Sequence, residues 1–267
     1  MNPKRGLGGY LADLGKNINL FRFKSTSYIN GIEPILPMAI QTFTSKITNK
    51  VFLNDDVFMM TLSCPEEFTF KAGQFVTIRV NNGEESKLRS YSILNPPSEK
   101  GKIDLCIKII EGGFASENFK DIKEGDEYEV KGPFGHFMFD ENSENKEHWL
   151  ISNGTGVVPM YSIAKEFLPK NQEIKFTMLF GSKVKKDLIF HQEFIELAKE
   201  YPNFTYVPTL TREDWDGAQG RVQAHLPEDL KNKTFYICGL KELVVETKEL
   251  LTEKGVDANH IKSERYS

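Results

Sequence analysis

Lys87-Leu88-Arg89-Ser90-Tyr91-Ser92-Ile93 gathers a guanidinium, a phenol and two hydroxyls within seven residues. It follows a strand-like run, residues 74–80, and leads into Asn95-Pro96-Pro97, a turn signal. Side chains alternate along a strand. Arg89, Tyr91 and Ile93 then share one face, and Ser90 and Ser92 the other. A cationic fork beside an aromatic plate suits a ligand that is an anion at one end and a flat ring at the other. The same residues also fit an ordinary half-exposed strand.

Other short motifs could handle phosphate. In Asn153-Gly154-Thr155-Gly156-Val157-Val158-Pro159 a strand ends, glycines turn the chain, and Pro159 suits the first turn of a helix. Backbone N–H groups at such a helix start can receive pyrophosphate. A third glycine is missing, so a plain strand–helix turn stays open beside that reading. Gly112-Gly113-Phe114-Ala115-Ser116 is a second glycine loop, and Ser116 is expected to cap the short helix that follows. Thr211-Arg212-Glu213 and Gly220-Arg221 bring two arginines and a hydroxyl to the end of a strand, a grip for a terminal phosphate or a pair of solvated cations. Cys238-Gly239 closes the last apolar strand, where the cysteine is either a buried small hydrophobe or a neighbour of a bound ring. Glu264-Arg265-Tyr266-Ser267 is either a frayed tail or an aromatic lid beside a carboxylate.

The elements that must position these residues change rhythm once. Residues 43–139 read as short alternating strands: 43–51, 57–63, 74–80, 88–93, 103–110 and 127–131, with one helical stretch from Ser116 to Asp121. Beyond 140–147, strands at 148–152, 175–180, 204–210 and 234–238 alternate with helices through Phe167, at 191–200, 224–230 and 242–254. The expected fold is α+β in two domains. A six-stranded antiparallel β-barrel at 41–142 precedes a parallel α/β, Rossmann-like nucleotide-binding domain at 143–267. Residues 1–40 form an extension, with Tyr10, Leu11, Leu14, Ile18 and Phe21 at roughly helical spacing. That extension reads as a packing arm or as a docking element.

Composition bounds the function. Of the 267 residues 39% are apolar and 27% charged, an ordinary globular balance, and no run is long enough to cross a bilayer. Cys64, Cys106 and Cys238 are far apart and form no C-x-x-C, which argues against a zinc ribbon, a redox dithiol or a cysteine-held iron–sulfur cluster. A sparse, odd count fits a cytoplasmic location. Net charge is −4, but residues 1–40 carry +3 and the rest −7. This is not a nucleic-acid signature.

Taken together, R-x-Y-S, G-G-x-x-S, K-G-P-F-G-H-F at 131–137, N-G-T-G-V-V-P, T-R-E, C-G and E-R-Y, in this order over about 41–267, resemble the ferredoxin–NADP⁺ reductase family. The T-R-E…G-R pairing and terminal E-x-Y are most similar to the bacterial ferredoxin/flavodoxin–NADP⁺ reductases. The chain departs from them in ending on Tyr266-Ser267 and in having Asn153 where a small residue is common.

The resemblance implies FAD as cofactor and NADP(H) as cosubstrate, with hydride transfer at flavin N5 and electrons passed to ferredoxin or flavodoxin. It implies that Arg89 binds the FAD pyrophosphate, Tyr91 stacks on the ring and Ser92 hydrogen-bonds near N5, with Ser90 and Ile93 beside them. Gly112, Gly113, Phe114, Ala115 and Ser116 would surround FAD phosphate, and Gly154, Thr155 and Gly156 the NADP(H) pyrophosphate. Thr211, Arg212 and Arg221 would bind the 2′-phosphate. Cys238 and Gly239 would flank the nicotinamide, Glu264 would serve proton supply and Tyr266 would cover the flavin. Ser92, Cys238, Glu264 and Tyr266 are thus the expected catalytic set. A monomer that docks an acidic carrier is expected, with Arg5, Lys16, Arg22, Lys87, Lys183, Lys185 and Lys186 as docking cations. The alternatives are an NADH-dependent reductase for a cytochrome or an oxygenase, and an electron-transfer subunit of a larger complex.

Overall fold

The structure is a computed structural model that describes residues 39–266. The helical spacing read at 10–21 and the candidate cations Arg5, Lys16 and Arg22 lie outside the described residues. Six strands come first: β1 (Gln41–Phe52), β2 (Val57–Ser63), β3 (Phe75–Asn81), β4 (Ser86–Ser92), β5 (Lys102–Lys108) and β6 (Glu127–Phe134). They form one antiparallel sheet in the order β4-β3-β6-β1-β2-β5. A bridge from Ile93 to Leu105 joins the two outer strands and curls the sheet into a barrel. Its core follows from alternation: Met60 and Leu62 on β2 and Val76, Ile78 and Val80 on β3 are fully buried, every second residue.

The second sheet holds β7 (Glu147–Asn153), β8 (Lys175–Ser182), β9 (Phe204–Leu210), β10 (Ala218–Gln219), β11 (Lys233–Leu240) and β12 (Ile261–Tyr266). Its order is β10-β9-β8-β7-β11-β12, parallel throughout. Helices α2 (Val157–Phe167), α3 (His191–Glu200) and α4 (Lys241–Glu253) cover it, while α1 (Phe114–Phe119) belongs to the barrel. The central strands read as continuous apolar runs because both faces are covered. Leu150, Phe176 and Phe180 pack with Met160 and Phe194, whereas Ile151, Phe235 and Ile237 pack with Leu243 and Leu251.

Barrel and sheet share a packed boundary. Val57, Leu94 and Cys106 of the barrel sit in one apolar cluster with Val158, Met160 and Cys238. The Ser162 hydroxyl donates to Asn95 O at 3.0 Å, and Ser98 N donates to Glu166 Oε2 at 3.2 Å. The boundary is therefore a joint fixed by apolar burial and by hydrogen bonds, one of them buried.

Three elements differ from the sequence expectation. The helix expected at 224–230 is a single 3-10 turn, Val222–His225, because Pro227 holds Leu226 extended. The tail is not frayed but forms strand β12, hydrogen-bonded along β11 from Phe235↔Ile261 to Leu240↔Tyr266. Ser116 does not cap α1, whose N-cap is Gly113; its hydroxyl accepts from Ile110 N at 2.8 Å and so ties down the glycine loop.

Candidate active site

β4 and β12 bring their last residues together across the barrel–sheet boundary. The Tyr266 hydroxyl donates to Ser92 Oγ at 2.6 Å, and Ser92 Oγ donates to Glu264 Oε1 at 3.3 Å. Ser92 is buried, and pairing places Glu264 opposite Cys238 on β11. Burial pushes the Glu264 carboxyl above its ordinary 4.5, while the Ser92 hydrogen bond opposes the shift. Burial likewise raises the Cys238 thiol and the Tyr266 phenol well above their ordinary values. Gly135, from the K-G-P-F-G-H-F run, borders the same carboxyl, with Glu264 Oε2 3.8 Å from where a Cβ would stand. The result is a relay of hydroxyls ending on a carboxyl that holds its proton to higher pH than usual.

Arg89 and Tyr91 precede Ser92 on β4. Tyr91 is half-buried, packs on Phe119 at 6.0 Å between ring centres, and has its phenol raised by burial. The Arg89 guanidinium donates to Leu88 O at 3.0 Å and has no carboxylate partner among the described residues. It lies 5.5 Å from the Phe114 ring, with Lys87 Nζ 4.5 Å from the same ring. These cations and the Gly112–Ser116 loop form one neighbourhood. A Cβ on Gly113 would crowd Ile110 O at 2.9 Å, so glycine there lets the loop close tightly. Ser90 is exposed, whereas Ile93 is wholly buried in the barrel core. Arg89, Tyr91 and Ile93 keep the expected shared face, since Arg89 and Tyr91 pair with the core residues Ile78 and Val76 and Tyr91 packs on the cluster that holds Ile93; burial deepens along that face as β4 ends. An unpaired guanidinium, a half-buried phenol and a glycine loop meet the donor requirements of a flavin dinucleotide.

Across the boundary lies a cleft of about 520 Å³. Gly154 and Thr155 line it, and Gly154 turns the chain at φ +52° as β7 passes into α2. Gly156 is buried at that start, where any Cβ would overlap the Cys238 carbonyl. Thr211, Arg212 and Arg221 line the same cleft. Thr211 Oγ1 donates to Ser182 O at 3.3 Å and Arg212 N to Lys183 O at 2.9 Å, so the loop after β9 is pinned to the end of β8. Gly239 (φ +152°) and Cys238 stand at the tip of β11; Gly239 leaves room for the Asn153 side chain, whose Oδ1 accepts from Leu240 N at 2.9 Å.

Sequence reading missed several cleft residues. Asp56 and Lys108 reach it from the barrel and pair at 3.1 Å, and Glu242 and Glu246 reach it from α4. No motif signals them, since each lies far in sequence from the phosphate loop. The candidate docking cations are less free than their charge suggests. Lys186 pairs with Asp55 at 2.7 Å and Lys87 with Glu85 at 2.5 Å; Lys183 lines the cleft, and Lys185 lies 6.0 Å from the Trp215 ring. Among the described residues no cluster of three His, Cys, Asp or Glu could hold a metal, and no helix is long and apolar enough to cross a membrane.

Comparison with known proteins identifies both halves. Residues 44–139 match an oxidoreductase FAD-binding domain and residues 150–249 an oxidoreductase NAD-binding domain. A ferredoxin–NADP reductase B from Sorangium cellulosum is 32% identical over 211 residues, covering 74% of this chain and 86% of that one. The reductase component of phenol 2-monooxygenase from Pseudomonas sp. strain CF600 is 27% identical over 209 residues, covering 75% of this chain but only 58% of that one. A ferredoxin NADP⁺ reductase from Neisseria gonorrhoeae, solved with bound FAD and NADP, shares the fold with a TM-score of 0.76 at 21% identity, covering 84% of this chain and 98% of that one. The chain thus carries a flavin-binding barrel and a nicotinamide-nucleotide-binding sheet.

Proposed function

We propose, for a chain that belongs to the ferredoxin–NADP⁺ reductase family of FAD-dependent oxidoreductases, that it passes electrons between NADP(H) and a separate one-electron carrier protein, a ferredoxin or flavodoxin. The observation that carries this reading is the Tyr266–Ser92–Glu264 relay at the barrel–sheet boundary. FAD, when bound, supplies a hydride acceptor at N5 and the ability to release electrons singly. Arg89 holds the pyrophosphate, Tyr91 stacks against the ring, and the Gly112–Ser116 loop approaches the phosphate. With Glu264 protonated, its O–H would donate to Ser92 Oγ and free the Ser92 proton for the ring edge. Glu264, kept protonated to higher pH by burial, is the proton reserve behind it. Tyr266 and Cys238 exclude water beside that hydroxyl. Gly154, Thr155 and Gly156 take the nucleotide pyrophosphate, and Thr211, Arg212 and Arg221 the 2′-phosphate. Cys64, Cys106 and Cys238 are free and far apart, so a single-electron carrier lies outside these 267 residues, and the sparse, odd cysteine count fits a cytoplasmic setting.

Replacing Arg212 and Arg221 with Ala should raise KM for NADPH far more than KM for NADH; equal effects would remove the 2′-phosphate assignment. A second reading is a reductase serving an oxygenase, favoured by the likeness to the phenol 2-monooxygenase component. Steady-state rates with ferredoxin, flavodoxin and an oxygenase component as acceptors separate the two. Carrier reduction that is indifferent to ionic strength would exclude electrostatic docking.

A further inference from the structure

The cleft beside Gly154 has an unexpected electrical balance. Four cationic side chains line it, and so do four carboxylates. A cleft that receives a pyrophosphate and a third phosphate has reason to be strongly positive. The carboxylates also take up cations directly. Arg221 Nη1 lies 2.7 Å from Glu246 Oε2, and Lys108 Nζ lies 3.1 Å from Asp56 Oδ2. Arg212 has no carboxylate partner among the described residues. Of the two arginines assigned to the 2′-phosphate, one is therefore free and the other engaged.

The engagement is built into the fold. Arg221 immediately precedes the Val222–His225 turn, and Glu246 sits in the second turn of α4. Gln223, one step along that turn, donates to Thr247 Oγ1 at 3.1 Å and approaches Glu246 Oε2 at 3.5 Å. Thr247 is fully buried, so this bond locks the turn against α4. Arg221 and Glu246 are thus held opposite each other by a contact that neither of them makes.

We infer that Glu246 is a specificity-determining residue: by holding Arg221, it lowers the preference of the cleft for NADPH over NADH. This rests on the 2′-phosphate assignment above. A 2′-phosphate must draw Arg221 away from Glu246 before the guanidinium can bind it. The 2′-hydroxyl of NADH needs no guanidinium and so does not compete with Glu246 for Arg221. The carboxylate therefore opposes one nucleotide and not the other. Both side chains are largely solvent-exposed, at 70% and 45%, so the effect is that of a screened surface pair, about fivefold in the NADPH/NADH ratio of kcat/KM.

The test compares Glu246→Gln with the wild type, both loaded with FAD, at low ionic strength. Glutamine keeps the length and an acceptor for Arg221 but removes the charge. The NADPH/NADH ratio should rise about fivefold, and the gain should shrink in salt. Binding of 2′,5′-ADP should tighten relative to 5′-AMP by a similar factor, a readout independent of chemistry. Glu246→Ala should move both in the same direction. In an Arg221→Ala background, Glu246→Gln should change neither, because the effect runs through Arg221. A gain that persists without Arg221 overturns the inference. So does an unmoved ratio in a protein where Arg212→Ala selectively weakens NADPH. If Arg212→Ala weakens both nucleotides alike, the 2′-phosphate assignment itself has failed.

Discussion

His148 offers a prediction whose size follows from its surroundings. It lies on β7, 1% exposed, with Phe139, Phe176 and Tyr236 rings 4.8, 5.7 and 5.9 Å away. Its Nε2 meets Asn145 O at 3.0 Å and its Nδ1 has no partner. A neutral imidazole with the proton on Nε2 satisfies the one contact; a second proton on Nδ1 would be buried with nowhere to donate. Burial accordingly lowers its pKa from an ordinary 6.5 to about 4. The unfolded chain binds a proton between those values and the native chain does not. Stability is therefore full above pH 6.5 and is lost as pH falls toward 4. The linkage relation gives a loss of about 2.4 kcal/mol between pH 7 and pH 4.5 from this group alone. Carboxylates titrate over the same range, so the assay must be a difference. Urea unfolding at pH 7 and pH 4.5, at fixed FAD, should be run on the wild type, His148→Phe and His148→Gln. Each variant should be less stable at pH 7, by roughly 1–2 kcal/mol for the disturbed hydrogen bond and packing. Each should then lose about 2 kcal/mol less than the wild type on acidification. If wild type and both variants lose equal stability, His148 is not held neutral and the account of its cage is wrong.

Two further outcomes concern the site. Arg89→Ala removes a guanidinium with no carboxylate partner among the described residues, so FAD should bind more weakly by about 10- to 100-fold, as expected for lost charge-assisted hydrogen bonds; fluorescence titration of the apoprotein measures this, and unchanged affinity would remove the assignment. For Glu264, burial raises the pKa, so the fraction carrying a proton falls as pH climbs through a value above 4.5. The pH profile of carrier reduction should fall across that ionisation in the wild type, and Glu264→Gln should lack it. A wild-type profile with no such limb would show that the carboxyl takes no part in proton supply.

Much of the architecture was legible in residue order. Period-two alternation between punctuating Gly and Pro marked the barrel strands, and both-sides-buried runs such as His148–Ser152 marked the central parallel strands. These signals are local, because each strand must bury one face or both. The short motifs were legible for a similar reason: a glycine turn at Gly154 or a cation at Arg89 announces itself by residue type. The tail was misread because strand and fray look alike over six residues, and only the open edge of β11 decides between them. Ser116 was misread as a cap because α1 begins two residues earlier than its residue types suggest, at Phe114, which leaves Ser116 inside the first turn with its hydroxyl turned to Ile110 N.

What residue order determined, then, was the set of elements and the chemical types placed at their ends. What the tertiary structure alone decided was which of those ends meet. Ser92 and Glu264 are 172 residues apart, and Arg221 and Glu246 are 25 apart on separate elements. Side-chain hydrogen bonds and ion pairs act over about 3–4 Å, so such pairings exist only once burial of the shared apolar boundary has fixed the barrel against the sheet and α4 against its neighbouring turn.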